Sequence, residues 1–124
     1  MIRHVVMFRW KAGVTAADVE AIATSGADAL LVPKVESAAD VATVVGLLDK
    51  AGAPPSMAVW AMMETPMAIF NVREIASVHQ VARLSCLVLG TNDLLKESRA
   101  LATGGRFAIL PWLSMTLLAA QTDF

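Results

Sequence analysis

The sequence predicts an α/β fold built around a parallel sheet, and two observations support this. Three segments repeat one plan, in which a turn of small residues leads into a short apolar run, a polar residue and a helix-like stretch: "GADALLVPKVES", "PPSMAVWAMMET" and "RLSCLVLGTND". Continuous apolar runs of this length are typical of strands buried on both faces. Corresponding strand positions recur about every 28 residues, close to the repeat of a barrel of eight βα units. The 124 residues therefore predict a single domain, a partial TIM (β/α)8 barrel of about four βα units.

The first two units have clear helix starts. "IRHVVMFRW" predicts a strand of alternating character, and "KAGVTAADVEAIATSGAD" predicts the helix after it. Thr15 is the expected N-cap, with Asp18 three positions later as its capping-box partner. In the second unit, "SAADVATVVGLLDKAG" has Val and Leu at helical spacing, Ser37 and Asp40 form the expected capping box, and Gly52 marks the stop.

The third and fourth units also pass from strand to helix at polar residues. Thr65 is the expected N-cap of the third helix, followed by Pro66 at the favoured first helical position. Thr91 or Asn92 is expected to cap the fourth helix, beginning near Leu94. Residues 107–121 predict a last helix that belongs to a following unit.

Composition and charge exclude several classes of partner. The chain is 56% hydrophobic with a mean hydropathy of +0.60, which is apolar for one small domain. Its net charge is −1 and its ten Lys and Arg are dispersed, so no nucleic-acid partner is expected. The longest late apolar run is broken by Pro111 and is shorter than the roughly 20 residues of a membrane span. With Cys86 as the single cysteine and no signal peptide recognised, a cytoplasmic protein without membrane contact is expected.

Two acids occupy equivalent points of consecutive units. Glu64 follows the apolar run "AVWAMM", and Asp93 lies 29 positions later, after "CLVLGTN". Because the carboxyl ends of parallel barrel strands meet at one rim, both side chains are expected there. Adjacent carboxylates repel unless a cation or a shared proton lies between them, and hard oxygen ligands suit Mg²⁺. The alternative interpretation is that each acid only stabilises the start of a helix.

From about residue 21 to residue 121 the chain resembles the HpcH/HpaI aldolase and citrate lyase family, in particular the citrate lyase beta-subunit branch. The matching stretches are "GADALLVPKVESAADV", "WAMMETPMAIFNVREIA", "RLSCLVLGTNDLLKE" and "GRFAILPWLSMTLLAA". The resemblance implies a TIM barrel that cleaves carbon–carbon bonds in CoA thioesters or keto acids, such as citryl-CoA or malyl-CoA. It also implies Mg²⁺ as cofactor, with Glu64 of "ETP" and Asp93 of "GTND" as its ligands.

Further site residues follow from the same resemblance. Lys34 and Glu36, in "VPKVES", would lie on the same rim one unit earlier and shape the substrate site. Family members carry an arginine on the preceding strand that grips the substrate carboxylate. Arg9 lies near that place, although counting back from Lys34 puts the expected position nearer Val6, and the family's loop after the arginine is absent.

Residues 1–21 resemble instead the start of a stress-responsive A/B barrel (Dabb) domain, a small dimeric α+β fold. A half barrel leaves strand edges and apolar faces uncovered, so a homo-oligomer is expected. Two alternatives to a lyase remain open: a non-catalytic, oligomerising fragment of such an enzyme, and a Dabb-like dimer, which would require the first strand to pair antiparallel with its neighbour.

Overall fold

The computed structural model describes residues 4–7, 15–101 and 103–124. Strands and helices alternate along the chain: β1 (Val5–Met7), α1 (Ala16–Ala23), β2 (Ala29–Val32), α2 (Ala38–Lys50), β3 (Ala58–Met63), α3 (Pro66–Phe70), α4 (Val72–Ser77), a short 3₁₀ turn (Val78–Gln80), β4 (Leu84–Leu89), α5 (Thr91–Ser98) and α6 (Leu110–Asp123).

The four strands form one parallel sheet in the order β1-β2-β3-β4. Ala29 of β2 is in register with Val5 on one side and with Ala58 on the other. The α/β class and the parallel sheet predicted from sequence are therefore confirmed. Since β1 runs parallel to β2, its pairing matches a barrel unit and differs from the antiparallel pairing that a Dabb-like start requires.

Three of the four predicted helix caps are confirmed. Thr15 and Ser37 each accept a hydrogen bond from the backbone N–H three residues later, and the side chains of Asp18 and Asp40 bond back to the N-cap N–H. Thr65 Oγ1 accepts from the N–H of Ala68 at 3.1 Å. The polar residues after the strands thus start the helices as their side-chain chemistry predicts.

The prediction for the fourth cap is wrong. α5 begins at Thr91 itself, with Gly90 as its N-cap and no side-chain capping bond. The Gly90 N–H still bonds to Met63 O at 2.9 Å, which continues the β3–β4 pairing, while its carbonyl already accepts from Leu94 N–H. Strand and helix therefore meet at one residue, and no position remains for Thr91 or Asn92 to act as a cap.

The last helix begins later than predicted. It runs from Leu110 to Asp123, whereas the apolar pattern suggested a start at residue 107. Pro111 lies in its first turn, where its missing N–H costs no helical hydrogen bond, and this sets the start. Among the described helices, none is long and apolar enough to cross a bilayer.

Only one face of the sheet is covered by helices. On that face Leu30, Val59, Ala61, Met63 and Leu84 are at most 1% exposed. On the opposite face most side chains are half-buried or exposed, the small side chain of Ala29 being buried, and β3 alternates between half-buried and buried residues. The expectation of strands buried on both faces is therefore wrong for the described residues, because the described helices cover one side alone.

Candidate metal-binding site

Three of the predicted site residues follow the carboxyl ends of neighbouring strands. Lys34 lies two residues after β2, Glu64 comes directly after β3, and Asp93 lies in the first turn of α5 after β4. Because the strands are parallel, these positions lie together at the end of the sheet where the strands terminate, called the carboxyl edge below. Arg9, the proposed substrate-binding arginine, lies outside the described residues.

Glu64 is the buried acid of this edge, with 6% of its surface exposed. Its Oε1 accepts a hydrogen bond of 2.8 Å from the backbone N–H of Lys34. A carboxylate needs such partners when it leaves water, since an unpaired buried charge is strongly unfavourable. The loop after β2 thus holds the side chain that follows β3.

The carboxyl groups of Glu64 and Asp93 are close enough to influence one another. Burial raises the pKa of Glu64 above its ordinary value of 4.5, and the proximity of the Asp93 carboxyl raises it further. The Lys34 N–H and the Lys34 charge oppose this rise. The two carboxyls therefore lie near one another at the ends of neighbouring strands, and their role as joint cation ligands stays a prediction.

Gly90 makes room for this pair. A Cβ atom built on Gly90 would lie 2.6 Å from Glu64 Cβ, 3.2 Å from Glu64 Oε2 and 3.3 Å from Met62 Cγ. The first distance is far below normal contact, so any larger residue would displace Glu64. Sequence analysis did not single out Gly90. Its position was an available signal, because a glycine that directly follows a strand often marks a close approach of another group, and Asp93 lies three residues later.

Lys34 brings a positive charge to the same edge. Its backbone has φ of 53°, in the left-handed region, and its Nζ forms a 2.7 Å ion pair with Glu97 Oε1 of α5. The hydrogen bond to Glu97, followed by the charges of Glu97, Asp93 and Glu64, raises the pKa of Lys34. Glu97 is a second residue that sequence reasoning missed, because an acid on an exposed helix gives no sign of its partner.

Glu36 contributes to the structure through its backbone, whereas Glu64 and Lys34 also act through their side chains. The Glu36 side chain is exposed, and its hydrogen bonds to described residues run through the backbone. The N–H donates to Asp40 Oδ2 at 2.9 Å, and the carbonyl accepts from Asn71 Nδ2 at 2.8 Å. These bonds fix the start of α2 and tie it to α3 and α4.

Four cavities found among the described residues have neither Glu64 nor Asp93 in their walls. One cavity, of about 420 Å³, lies between α1 and α2 on the outside of the sheet. A smaller one of about 170 Å³ borders Lys34 and the start of α2. We base the site on the paired acids, since cavity size alone identifies no chemistry.

The donor chemistry of the pair fits a hard divalent cation. Mg²⁺ is commonly bound through one or two carboxylates while it keeps several waters. Within residues 4–7, 15–101 and 103–124, no three or more His, Cys, Asp and Glu side chains cluster as metal ligands. Two carboxylates fit that mode of binding: Glu64 and Asp93 are the residues that would hold such a cation, which would offset their mutual repulsion.

Comparison with known proteins agrees with this fold. The chain is 45% identical over 105 residues to a (3S)-malyl-CoA thioesterase of Cereibacter sphaeroides, covering 85% of this chain and 34% of that protein. It thus spans about a third of the length of the curated relatives it matches.

Solved structures show the same architecture. Protein CitE of Mycobacterium tuberculosis, in complex with magnesium and acetoacetate, matches with a TM-score of 0.69 and 27% identity, over 96% of this chain and 47% of CitE. RipC of Yersinia pestis matches with a TM-score of 0.75 over 96% of this chain and 53% of RipC, and at 20% identity it supports the fold alone. The sheet is therefore part of a TIM barrel.

A family model settles the relationship. The model described as HpcH/HpaI aldolase/citrate lyase matches residues 8–123, and so begins earlier than the resemblance seen in the sequence. The chain belongs to the HpcH/HpaI aldolase/citrate lyase family.

Proposed function

We propose that this chain carries the Mg²⁺ site of a carbon–carbon lyase that acts on a CoA thioester or keto acid, such as malyl-CoA or citryl-CoA. The observation that carries the proposal is geometric: Glu64, buried and held by the Lys34 N–H, and Asp93 follow neighbouring strands at the carboxyl edge of the sheet. The names of the relatives support it, since one is a malyl-CoA thioesterase and another binds magnesium with a keto acid.

Each residue of the edge has a role in this proposal. Glu64 and Asp93 hold the cation, and Gly90 leaves Glu64 the space to do so. A bound Mg²⁺ supplies Lewis-acid stabilisation of negative charge on a substrate oxygen. Lys34 keeps Glu64 in place through its backbone N–H, and its Nζ offers a positive charge for a substrate carboxylate.

Two further residues keep the roles that the family resemblance implies. Arg9 would bind a substrate carboxylate, and Glu36 would line the substrate site from the loop after β2. A cytoplasmic location and self-association also remain predictions.

Thioester hydrolysis is a second candidate reaction. It is favoured by one observation, the name of the relative that is 45% identical to this chain. The residues at the carboxyl edge would also suit thioester hydrolysis. Hydrolysis likewise builds negative charge on a substrate oxygen, which a cation and hydrogen-bond donors stabilise. A third outcome, the non-catalytic fragment, keeps the cation but has no turnover.

The products of malyl-CoA distinguish these reactions. Carbon–carbon cleavage yields acetyl-CoA and glyoxylate, whereas hydrolysis yields malate and free CoA, whose thiol is measured directly. We expect acetyl-CoA with Mg²⁺, and its loss in Glu64→Gln and Asp93→Asn but not in Glu20→Gln, an exposed acid of α1. Free CoA without glyoxylate would favour hydrolysis, and intact Mg²⁺ binding without either product would overturn the enzymatic proposal.

A further inference from the structure

One ion pair spans the end of β3 at the carboxyl edge. Lys34, in the loop after β2, reaches Glu97 of α5, and its Nζ lies 2.7 Å from Glu97 Oε1. The sheet order places β3 between β2 and β4, so the pair passes across the position where Glu64 follows β3. The partners are 63 positions apart in sequence. The contact therefore belongs to the tertiary arrangement of the carboxyl edge.

The Lys34 ammonium is attracted by three acids of this edge. Its hydrogen bond to Glu97 is the largest cause of its raised pKa, and the charges of Asp93 and Glu64 raise the pKa further. Its backbone N–H bonds to Glu64 Oε1, so the side chain starts beside that carboxylate. With 55% of the side chain exposed and a flexible four-carbon stem, the ammonium is free to turn to another partner. An ammonium on Glu64 and Asp93 would occupy the place of a divalent cation.

The backbone conformation at Lys34 is costly for a lysine. Its φ of 53° lies in the left-handed region, which glycine adopts without strain and other residues adopt at a cost. Where a residue after proline in a turn has positive φ, glycine or asparagine is usual, and Lys34 follows Pro33 in a turn. A residue held in such a conformation is typical of a functional constraint. The constraint that the structure supplies is the reach of the lysine side chain to α5.

Glu97 is placed to bind the ammonium without joining the cation site. It lies four residues after Asp93 on α5, one helical turn farther along the same side. Over the described part of the chain, no three acids, histidines or cysteines cluster as metal ligands, so Glu97 does not complete a ligand set with Glu64 and Asp93. A carboxylate one turn away from Asp93 is therefore an alternative partner for the ammonium.

We propose that Glu97 is a positioning residue, which holds the Lys34 ammonium away from Glu64 and Asp93 and so leaves both carboxylates free for a divalent cation. The inference rests on these two acids as the cation ligands, and it adds to their site a residue that acts through Lys34. Because an exposed ion pair of this kind contributes modestly, the expected effect on cation affinity is a change of a few fold.

A double-mutant cycle on the 124-residue chain tests this role, with Mg²⁺ binding measured by isothermal titration calorimetry. In Glu97→Gln the ammonium loses its partner and competes for the two acids, so Kd should rise about three- to fivefold. In the Lys34→Met background no ammonium competes, and Glu97→Gln should raise Kd by less than about twofold. Glutamine has nearly the helix propensity of glutamate, and Glu20→Gln, at an exposed acid of α1, is the control. An unchanged Kd in Glu97→Gln, or an equal rise in both backgrounds, would overturn the proposal.

Amine labelling in EDTA tests the same step without a cation. Acetic anhydride reacts with the uncharged amine, and mass spectrometry compares Lys34 with the exposed Lys50 at the end of α2. When the ammonium turns onto Glu64 and Asp93 in Glu97→Gln, labelling of Lys34 should be on the order of twofold slower than in the wild type, and added Mg²⁺ should restore it. Equal or faster labelling would show that the ammonium does not move to the acids and would exclude the proposed role.

The two experiments together separate this inference from the cation site on which it rests. Slower labelling in a chain that binds no Mg²⁺ would overturn Glu64 and Asp93 as cation ligands, while the hold of Glu97 on the ammonium would stand. Mg²⁺ binding without the coupling between positions 34 and 97 would keep the cation site and overturn the role of Glu97.

Discussion

The backbone N–H of Lys34 donates a 2.8 Å hydrogen bond to Oε1 of Glu64, so the loop after β2 holds the acid that follows β3. Because the donor belongs to the backbone, it persists with any residue other than proline at position 34. The charge on Nζ, in contrast, can be removed by substitution. The positioning of Glu64 and the charge beside it are therefore separable by experiment.

Replacing Lys34 by Met should strengthen Mg²⁺ binding. The substitution removes a positive charge that acts on Glu64 and Asp93 but keeps the backbone N–H bond. Since the Lys34 side chain is partly exposed and screened by solvent, we expect a decrease in Kd of about two- to fivefold. Isothermal titration calorimetry measures it, with Lys50→Met at the end of α2 as control. Weaker binding in Lys34→Met would contradict this arrangement of charges.

Mg²⁺ should stabilise the folded chain through the two acids. At a free concentration of about 100 times Kd, a ligand that binds only the folded state adds about 2.7 kcal/mol. For a domain of this size, that is a rise in Tm on the order of 10 °C. Differential scanning fluorimetry with and without Mg²⁺ measures the shift.

The shift should vanish in Glu64→Gln and in Asp93→Asn, while Glu20→Gln retains it. If the double variant kept the full Mg²⁺ shift, the assignment of these ligands would be wrong.

Without divalent cations, Glu64 should make the stability depend on pH. Its pKa is raised in the folded state, so the folded chain binds the proton more tightly than the unfolded chain. This contribution is fully present below the ordinary value of 4.5 and is lost as the pH rises through the folded-state pKa. The free energy of unfolding should therefore fall over that window.

Glu64→Gln should be free of this loss, because an amide keeps an acceptor for the Lys34 N–H and carries no charge. Urea denaturation in EDTA at a series of pH values measures the difference between the two proteins. We expect Glu64→Gln to gain stability relative to the wild type as the pH rises. Asp93 and Lys34 face the same carboxyl and remain unchanged in both proteins. A difference independent of pH would exclude Glu64 as the source.

A methyl group at position 90 should disrupt the site. Gly90→Ala places Cβ 2.6 Å from Glu64 Cβ, and such overpacking costs about 1–3 kcal/mol. Gly46→Ala is the matched control, since it lies inside α2, and no atom beyond its chain neighbours and the nearby helix backbone lies within 4 Å of its Cβ position. It should stabilise by roughly 0.5–1 kcal/mol through helix propensity. Chemical denaturation measures both, and a Gly90→Ala protein with unchanged Mg²⁺ binding would refute the close packing against Glu64.

The capping box of α2 should contribute measurably to stability. Ser37→Ala removes the acceptor for the Asp40 N–H, which lies at 3.2 Å, and should lower the free energy of unfolding by about 1 kcal/mol. Ser56→Ala, at an exposed turn residue, should change it by less than about 0.5 kcal/mol. Equal losses in the two variants would show that the cap is not what stabilises the helix start.

Local features of the chain were predictable because they depend on near neighbours in sequence. The strands, the capping boxes at Thr15 and Ser37, and the cap and proline at Thr65-Pro66 follow from side-chain chemistry within a few residues. The α5 start was mispredicted because Gly90 belongs at once to the β3–β4 pairing and to the helix, and that pairing joins distant parts of the chain.

The sequence by itself determined the parallel α/β plan and the two acids after β3 and β4, since both depend on a repeated order of short patterns. Tertiary structure alone decided that Lys34 N–H holds Glu64, that Gly90 leaves it space, and that Lys34 pairs with Glu97 across 63 positions. It also decided that one face of the sheet is uncovered. Such contacts arise when strand pairing brings remote segments together, and no local pattern specifies the distance between them.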